Sequence, residues 1–340
     1  MTAWAVVGLD NGGSSNNATV LDADGNFLVD RLVETPSLVR QGPVVAVQAL
    51  VESLDNILAV TGVARDSIRA VGLDTPGPAS ADGVISSKGS TNFSEPEWRG
   101  FDVRTALEER IGIPVVYNND ANAAALYAHN AYFGDAAATR SSVSVIVGTG
   151  LGGGLVEQGS IVRGAAGMAA ELGHIQIPLD GLLDPGQPTP ACNCGLTGDA
   201  ESFASLTGIE KNLLPYWLSR EPGHELERVE PGLAAKLVRG YGERRDPLAR
   251  RIFEQQAIAL GRLCSIAANF TDPHAYFLGG GVVEAAPEFR DWFLETVQAN
   301  TNLRDEQRKA ATFALVPDLD MAGARGSALA AAATLVRLIR

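Results

Sequence analysis

Three short stretches of this 340-residue chain carry residue types that could do chemistry together. Two are glycine turns, Gly8-Leu9-Asp10-Asn11-Gly12-Gly13-Ser14 and Gly148-Thr149-Gly150-Leu151-Gly152-Gly153-Gly154; between them lies Asn118-Asn119-Asp120-Ala121-Asn122. A glycine hairpin can offer backbone N–H groups to polyphosphate oxygens because no Cβ keeps the ligand away. An isolated aspartate can take a hydroxyl proton. Those are the parts phosphoryl transfer needs, since its loose transition state asks mainly for positioning and charge stabilisation. Ordinary structural roles exist for each piece. Asn-Gly-Gly is a common hairpin turn, and an aspartate before an alanine-rich run is a common N-cap. The second run is harder to assign to structure alone. Five of its seven residues are glycine, which weakens a strand unless another backbone or a ligand must come close. No Gly-Lys-Ser/Thr follows it, and the next residues read as a strand rather than a helix, so neither a Walker motif nor a dinucleotide fingerprint fits.

A second group lies further on. Glu171 and His174 are spaced to share one side of a helical turn; Glu171 could accept sugar hydroxyl protons and His174 could bind a metal. Cys192-Asn193-Cys194 and Asp199 follow. His174, Cys192, Cys194 and Asp199 together offer four donors of the kinds tetrahedral zinc accepts. Asp10, at the end of an apolar strand, could hold Mg²⁺ through water.

The elements that must position these groups are legible as period changes. Residues 3–34 read as three short strands, with Asp22-Ala23-Asp24-Gly25 as the second hairpin. Helical periodicity covers 43–60, a strand covers 69–74, and a long loop runs from Ala79 to about Gly100. A helix at about 102–111 and a strand at 114–117 lead to Asp120, which opens a helix reaching Phe133. In the second half, strands at 142–147 and 154–156 flank the glycine run. A helix spans 247–269, with Asp246 as its cap and Pro247 at the tolerated first position. Strands at 275–278 and 312–316 follow, the first ending in Gly279-Gly280-Gly281, and a closing helix covers 323–339. The repeated logic predicts a duplicated α/β fold of two lobes with a central cleft. We divide it into a smaller lobe, 1–119, closed by the C-terminal helix 323–340, and a larger lobe, 120–322.

Composition narrows the classes. The net charge is −13, with lysine only at 88, 211, 236 and 309. That balance argues against nucleic acid or an anionic membrane as the main partner, but not against ATP, whose phosphates backbone amides, helix N-termini and Mg²⁺ can hold. No apolar run approaches the ~20 residues of a membrane span. The N-terminus has no basic segment or cleavage site, so a cytoplasmic location is expected. Three cysteines fit a reducing compartment better than a disulfide scaffold.

In order and combination, these motifs resemble the ROK family of sugar kinases and sugar-responsive repressors, within the actin/hexokinase-like (ribonuclease H-like) superfamily. The resemblance rests on Asp10-x-Gly12-Gly13-Ser14, Pro76-Gly77-Pro78, Asn92 with Trp98, Asn119-Asp120-Ala121-Asn122-Ala123, the 148–154 run, Glu171-x-x-His174, the cysteine motif ending at Glu201, and Gly279–Gly281. It implies Asp120 as catalytic base and Asn92, Asn119, Glu171, His174 and Glu201 as sugar ligands. It implies Asp10, Gly12, Gly13 and Ser14, then Thr149, Gly150, Gly152, Gly153 and Gly154, as phosphate contacts, with Gly279, Gly280 and Gly281 at the adenosine site. His174, Cys192 and Cys194 match zinc ligands; Asp199 stands where the family has a third cysteine. Asn11 and Ser15-Asn16-Asn17 also depart from the family pattern, and the acidic 92–98 loop leaves sugar identity open.

The expected activity is ATP- and Mg²⁺-dependent transfer to a hexose hydroxyl, glucose to glucose 6-phosphate first. Fructose, mannose, allose and N-acetylhexosamine are alternative acceptors, and polyphosphate an alternative donor. A non-catalytic sugar-binding protein is a further alternative. A repressor is disfavoured, because the first hairpin begins almost at Met1 and leaves no room for a helix-turn-helix. The family leans towards dimers and tetramers, so a homo-oligomer is expected.

Overall fold

The computed structural model describes residues 4–77, 79–86 and 93–339, the last four as backbone alone. Asn92 and Pro78, both named in the motifs above, lie outside the described residues. The chain divides into two compact units. One comprises 1–139, 154–169 and 317–340; the other comprises 140–153 and 170–316. The first unit therefore takes in residues 120–139 and 154–169 as well as those before Asn119.

The first unit is built on a five-stranded sheet in the order β3-β2-β1-β4-β5. Its strands are β1 (Ala5–Asn11), β2 (Ser15–Asp22), β3 (Glu34–Pro36), β4 (Ile68–Thr75) and β5 (Val115–Asn119). β1 pairs antiparallel with β2 and parallel with β4, and β4 pairs parallel with β5. Side chains alternate across a strand, and here both faces are covered. Val7 and Leu9 join Leu50, Leu54, Ile57, Trp98 and Leu107 in one apolar cluster, under helices α1 (Pro43–Thr61) and α2 (Val103–Ile111). Val6 and Ala70 join Ala328 and Ala331 in another. Burial on both faces explains why β1 reads as a nearly continuous apolar run.

One expectation needs correction here. α1 is 19 residues long and apolar enough, by length and composition, to cross a membrane. Its stripe of Ala46, Val47, Leu50, Leu54 and Ile57 is buried against the sheet instead. The expected strand over 26–34 is also shorter than its pattern indicated. Only Glu34–Pro36 pairs with β2, apart from a single bridge between Leu21 and Phe27. Asp22 accepts the Asp24 and Asn26 N–H groups at 2.9 and 2.8 Å, and this side-chain turn competes with strand pairing.

Helix α3 (Asp120–Phe133) follows β5 directly, and the closing helix α11 runs from Leu319 to Ile339. Three glycines let α11 sit against its neighbours. A Cβ at Gly8 would lie 1.9 Å from Ala324 O, one at Gly72 1.9 Å from Ser327 O, and one at Gly326 1.8 Å from Ala123 O. Arg325, almost fully buried, fastens the helix: its Nη1 donates to Tyr127 Oη at 2.6 Å and to Asp318 Oδ2 at 2.7 Å, and its guanidinium lies over Phe27 and Tyr127.

The second unit contains parallel strands β6 (Ser142–Val147), β9 (Ala275–Gly280) and β10 (Thr312–Leu315). β7 (Leu151–Glu157) follows the glycine turn, the unit boundary falling within it after Gly153, and β8 (Ser160–Ile161) follows in turn. The sheet order is β10-β9-β6-β7-β8. The unit's helices are α4 (Ala200–Ala204), α5 (Leu206–Gly208), α6 (Leu214–Arg220), α7 (Pro231–Glu243), α8 (Pro247–Thr271), α9 (Pro287–Ala299) and α10 (Asp305–Ala310). Asp246 caps α8 as expected, its Oδ1 accepting the Ala249 N–H at 2.9 Å.

Candidate active site

In the first unit the candidate groups collect at one edge of the sheet. Asp10 is the register partner of Asp74, Asp74 of Asn118, and Thr75 of Asn119. Period-2 alternation puts Asp10 on the face of Val6 and Gly8, the one covered by α11. A Cβ at Gly323 would come within 2.7 Å of Asp10 Oδ2. Asp74, fully buried, accepts the Ser327 hydroxyl on Oδ2 at 2.8 Å and shares a hydrogen bond with the Asp10 carboxyl. Both carboxyls are held above the ordinary carboxylate range. Burial is the first cause for each; at Asp74 the Asp10 charge comes next, and Asp120 adds to it. Two neighbouring carboxyls cannot both ionise freely with so little water, so the pair titrates as a unit. Sequence reasoning missed Asp74, although its alternation with Ala70 and Gly72 on a buried strand marked it as an inward-facing acid.

Asp120 is the first residue of α3, but it is not the cap. Asn119 is: its Oδ1 accepts the Ala121 N–H at 3.0 Å. Asp120 Oδ1 accepts the same N–H at 2.7 Å. With Asn119 in the capping role, Asp120 sits in the first turn, where the positive end of the helix favours an ionised carboxylate. Arg163 braces the preceding strand, donating to Tyr117 O at 3.0 Å and Asn118 Oδ1 at 2.9 Å. In the first hairpin, the Gly12 N–H donates to Ser15 O at 2.9 Å, and a Cβ on Gly12 would meet that same oxygen.

In the second unit, Gly148 to Gly150 form the turn and Leu151 already begins β7. Gly152, Gly153 and Gly154 are thus strand residues, and packing accounts for two of them. A Cβ on Gly153 would lie 2.5 Å from Ala170 O and from the Leu172 side chain; one on Gly154 would lie 2.3 Å from Ala125 Cβ. Gly279 and Gly280 pair with Ile146 and Val147, which lead into the same turn. Gly280 has φ +104, and a Cβ there would meet Val147 O at 1.8 Å, so only glycine fits.

Glu171 precedes a single 3₁₀ turn, Leu172–His174, which places Glu171 and His174 one turn apart. The Glu171 carboxyl is pushed up by partial loss of water, with His174 opposing and Glu201 adding. His174, Cys192, Cys194 and Asp199 converge, each offering one ligand atom within 4.8 Å of the others. His174 Nδ1 is 3.8 Å from Cys192 Sγ and 3.6 Å from Asp199 Oδ2, and Cys194 Sγ is 3.6 Å from Asp199 Oδ2. A tetrahedral zinc with ligand lengths of about 2.0–2.3 Å has ligand–ligand edges of about 3.3–3.8 Å. The donor types, and three of the six ligand–ligand distances, suit that geometry. Burial, followed by the Asp199 carboxylate, holds the Cys192 thiol above its usual range, so a metal must displace a tightly held proton.

The ROK family model matches residues 6–334, which is nearly the whole chain. The chain belongs to the ROK family. It is 33% identical over 282 residues to a glucokinase of Halalkalibacterium halodurans, covering 82% of this chain and 81% of the relative. Among solved structures it resembles a ROK hexokinase from Thermus thermophilus, with a TM-score of 0.76, 31% identity and 98% and 99% of the two chains covered. It also resembles a ROK glucokinase from Streptomyces griseus in complex with glucose and AMPPNP, with a TM-score of 0.70, 26% identity and 97% and 99% covered. The α/β expectation is borne out: the fold is the actin/hexokinase-like one of these ROK structures.

Proposed function

We propose that this chain, a ROK-family sugar kinase, transfers the γ-phosphoryl group of MgATP to the 6-hydroxyl of glucose, with Asp120 as general base. The observation that carries this reading is where Asp120 stands. It follows β5 directly, at the end of the sheet that carries Asp10 and Asp74, and is near enough for its charge to act on Asp74. Asp120 would accept the hydroxyl proton as the new P–O bond forms. Asn119, Glu171 and His174 would orient the sugar, with Asn92 carried by the family resemblance alone.

The hairpins at Gly13–Ser14 and Thr149–Gly150 would hold phosphate oxygens by backbone N–H groups, and Gly279–Gly281 would bound the adenosine site. Asp10, with Asp74 beside it, fits a hard cation. Mg²⁺ bound there would neutralise phosphate charge. His174, Cys192, Cys194 and Asp199 would hold zinc, whose role there is to order the loop that leads into α4 and Glu201. Relatives named glucokinase support glucose as the acceptor, and relatives named N-acetyl-D-glucosamine kinase, at 31% identity, support that sugar as the alternative.

The test is an ADP-release assay with MgATP across glucose, mannose, fructose, allose and N-acetylglucosamine. Glucose should give the highest kcat/KM. Asp120→Asn should lower kcat by about 10²–10⁴-fold while calorimetry still detects glucose binding. Wild-type turnover in that variant would remove Asp120 as the base.

A further inference from the structure

Family resemblance makes Glu201 a sugar ligand, yet one of its carboxylate oxygens is already engaged: Oε2 accepts the Leu151 N–H at 2.8 Å. Oε1 lies 3.4 Å from Cys192 Sγ, which has a proton to donate only while no metal holds the sulfur. We propose that Glu201 is a positioning residue for the second glycine turn, and so controls nucleotide affinity. This rests on the kinase reading above.

The turn cannot hold itself. Gly148 and Gly150 contribute no side chain, and a Cβ built on Gly148 would have nothing within 4 Å. Its single internal backbone bond runs from Gly148 N–H to Gly150 O at 2.9 Å. Glycines of this kind sample many conformations unless something outside restrains them. Beyond the pairing of β6 with β7 on either side of it, the turn is restrained by one short segment, residues 201–207. The Leu206 N–H donates to Gly148 O at 3.0 Å, and the Thr207 N–H and hydroxyl donate to Thr149 O at 3.2 and 2.8 Å. Glu201 closes the other side, its carboxylate taking the Leu151 N–H. Two carbonyls and one amide of a four-residue stretch are thus fixed from α4 and α5.

The far end of that segment is fixed as well. α4 is capped by Asp199, whose Oδ1 accepts the Ser202 N–H at 2.9 Å. Its Oδ2 belongs to the histidine–cysteine cluster. Glu201 therefore projects from a helix whose start is held at both Asp199 oxygens.

Three variants test the assignment, with magnesium–AMPPNP affinity measured by calorimetry in the absence of sugar and amide hydrogen exchange followed over residues 148–152. Glu201→Ala should weaken nucleotide binding about tenfold and speed exchange at Leu151. Glu201→Gln, which retains an acceptor oxygen, should stay within about threefold of wild type. Thr207→Val removes the hydroxyl bond to Thr149 O without altering any residue assigned to the sugar, and should shift nucleotide affinity in the same direction as Glu201→Ala. Unchanged nucleotide affinity and unchanged Leu151 exchange in Glu201→Ala, with only glucose binding lost, would overturn the proposal. If the wild-type protein bound no nucleotide, the kinase reading would fail. Exchange at Leu151 would still decide whether Glu201 holds the turn.

Discussion

Replacing Asp74 by asparagine tests whether the buried carboxyl pair carries a proton in the folded protein. Asp74 has no exposed surface, receives the Ser327 hydroxyl and faces Asp10. Burial, then the Asp10 charge, raise its carboxyl well above the ordinary range. An acid whose folded value is raised favours the fold while protonated. As pH climbs from the ordinary carboxylate range towards the raised value, the folded state keeps a proton that the unfolded chain has released. Stability then falls by up to about 1.4 kcal/mol per pH unit for one proton. Above the raised value the loss is complete and constant. Asparagine preserves the shape, a carbonyl for Ser327 and a donor towards Asp10, but cannot ionise. In urea unfolding from about pH 5 to pH 8, with EDTA present so that no divalent cation competes for the pair, Asp74→Asn should gain on wild type as pH rises. Parallel stability profiles for the two proteins would refute the reasoning, because they would mean that Asp74 titrates alike in both states.

Two further substitutions probe the frame around the site. Gly8→Ala would drive a Cβ to 1.9 Å from Ala324 O, a backbone atom that cannot rotate away; the fold should lose about 1–3 kcal/mol or more, and an unchanged thermal midpoint would mean that α11 does not lie against β1 at this distance. At the metal cluster, protein purified without chelator should carry about one zinc per chain by elemental analysis. Asp199→Asn should lose most of it while keeping the fold, because an amide oxygen can still accept the Ser202 N–H. Zinc-free wild-type protein would remove the metal from the reading.

Local signals made much of the scaffold legible. Asp246 before Pro247 marked the start of α8, and the apolar-to-glycine transitions at Leu9–Gly12 and Val147–Gly150 marked two strand ends. What could not be read was set by residues distant in sequence. Gly153 and Gly154 look like part of a phosphate turn until Leu172 and Ala125 are seen against them. Asp74 reads as the last residue of a strand, and only register with Asp10 and the cover of Ser327 make it half of a buried pair. Glu201 carries a family role in its motif, whereas its bonds to Leu151 and Cys192 depend on how two loops return to one helix. At α3 the sequence offers two competent caps, Asn119 and Asp120, and the backbone angles separate them, with Asn119 extended just before the helix.

The way α11 completes the first unit has a consequence for how the protein is made. β1 and β4 are synthesised early, but the face bearing Val6, Gly8, Ala70 and Gly72 is covered by residues 319–339. At ribosomal rates of about 5–20 residues per second, the roughly 310 residues between β1 and α11 take on the order of 15–60 s to emerge. Throughout that interval an apolar strand surface waits without its partner. The second unit, apart from its opening stretch, is one continuous piece, 170–316, and can finish within the nascent chain. The part of the protein begun first is therefore the last to be completed, and chaperones that shield exposed strands should engage this chain at its beginning, not at its end.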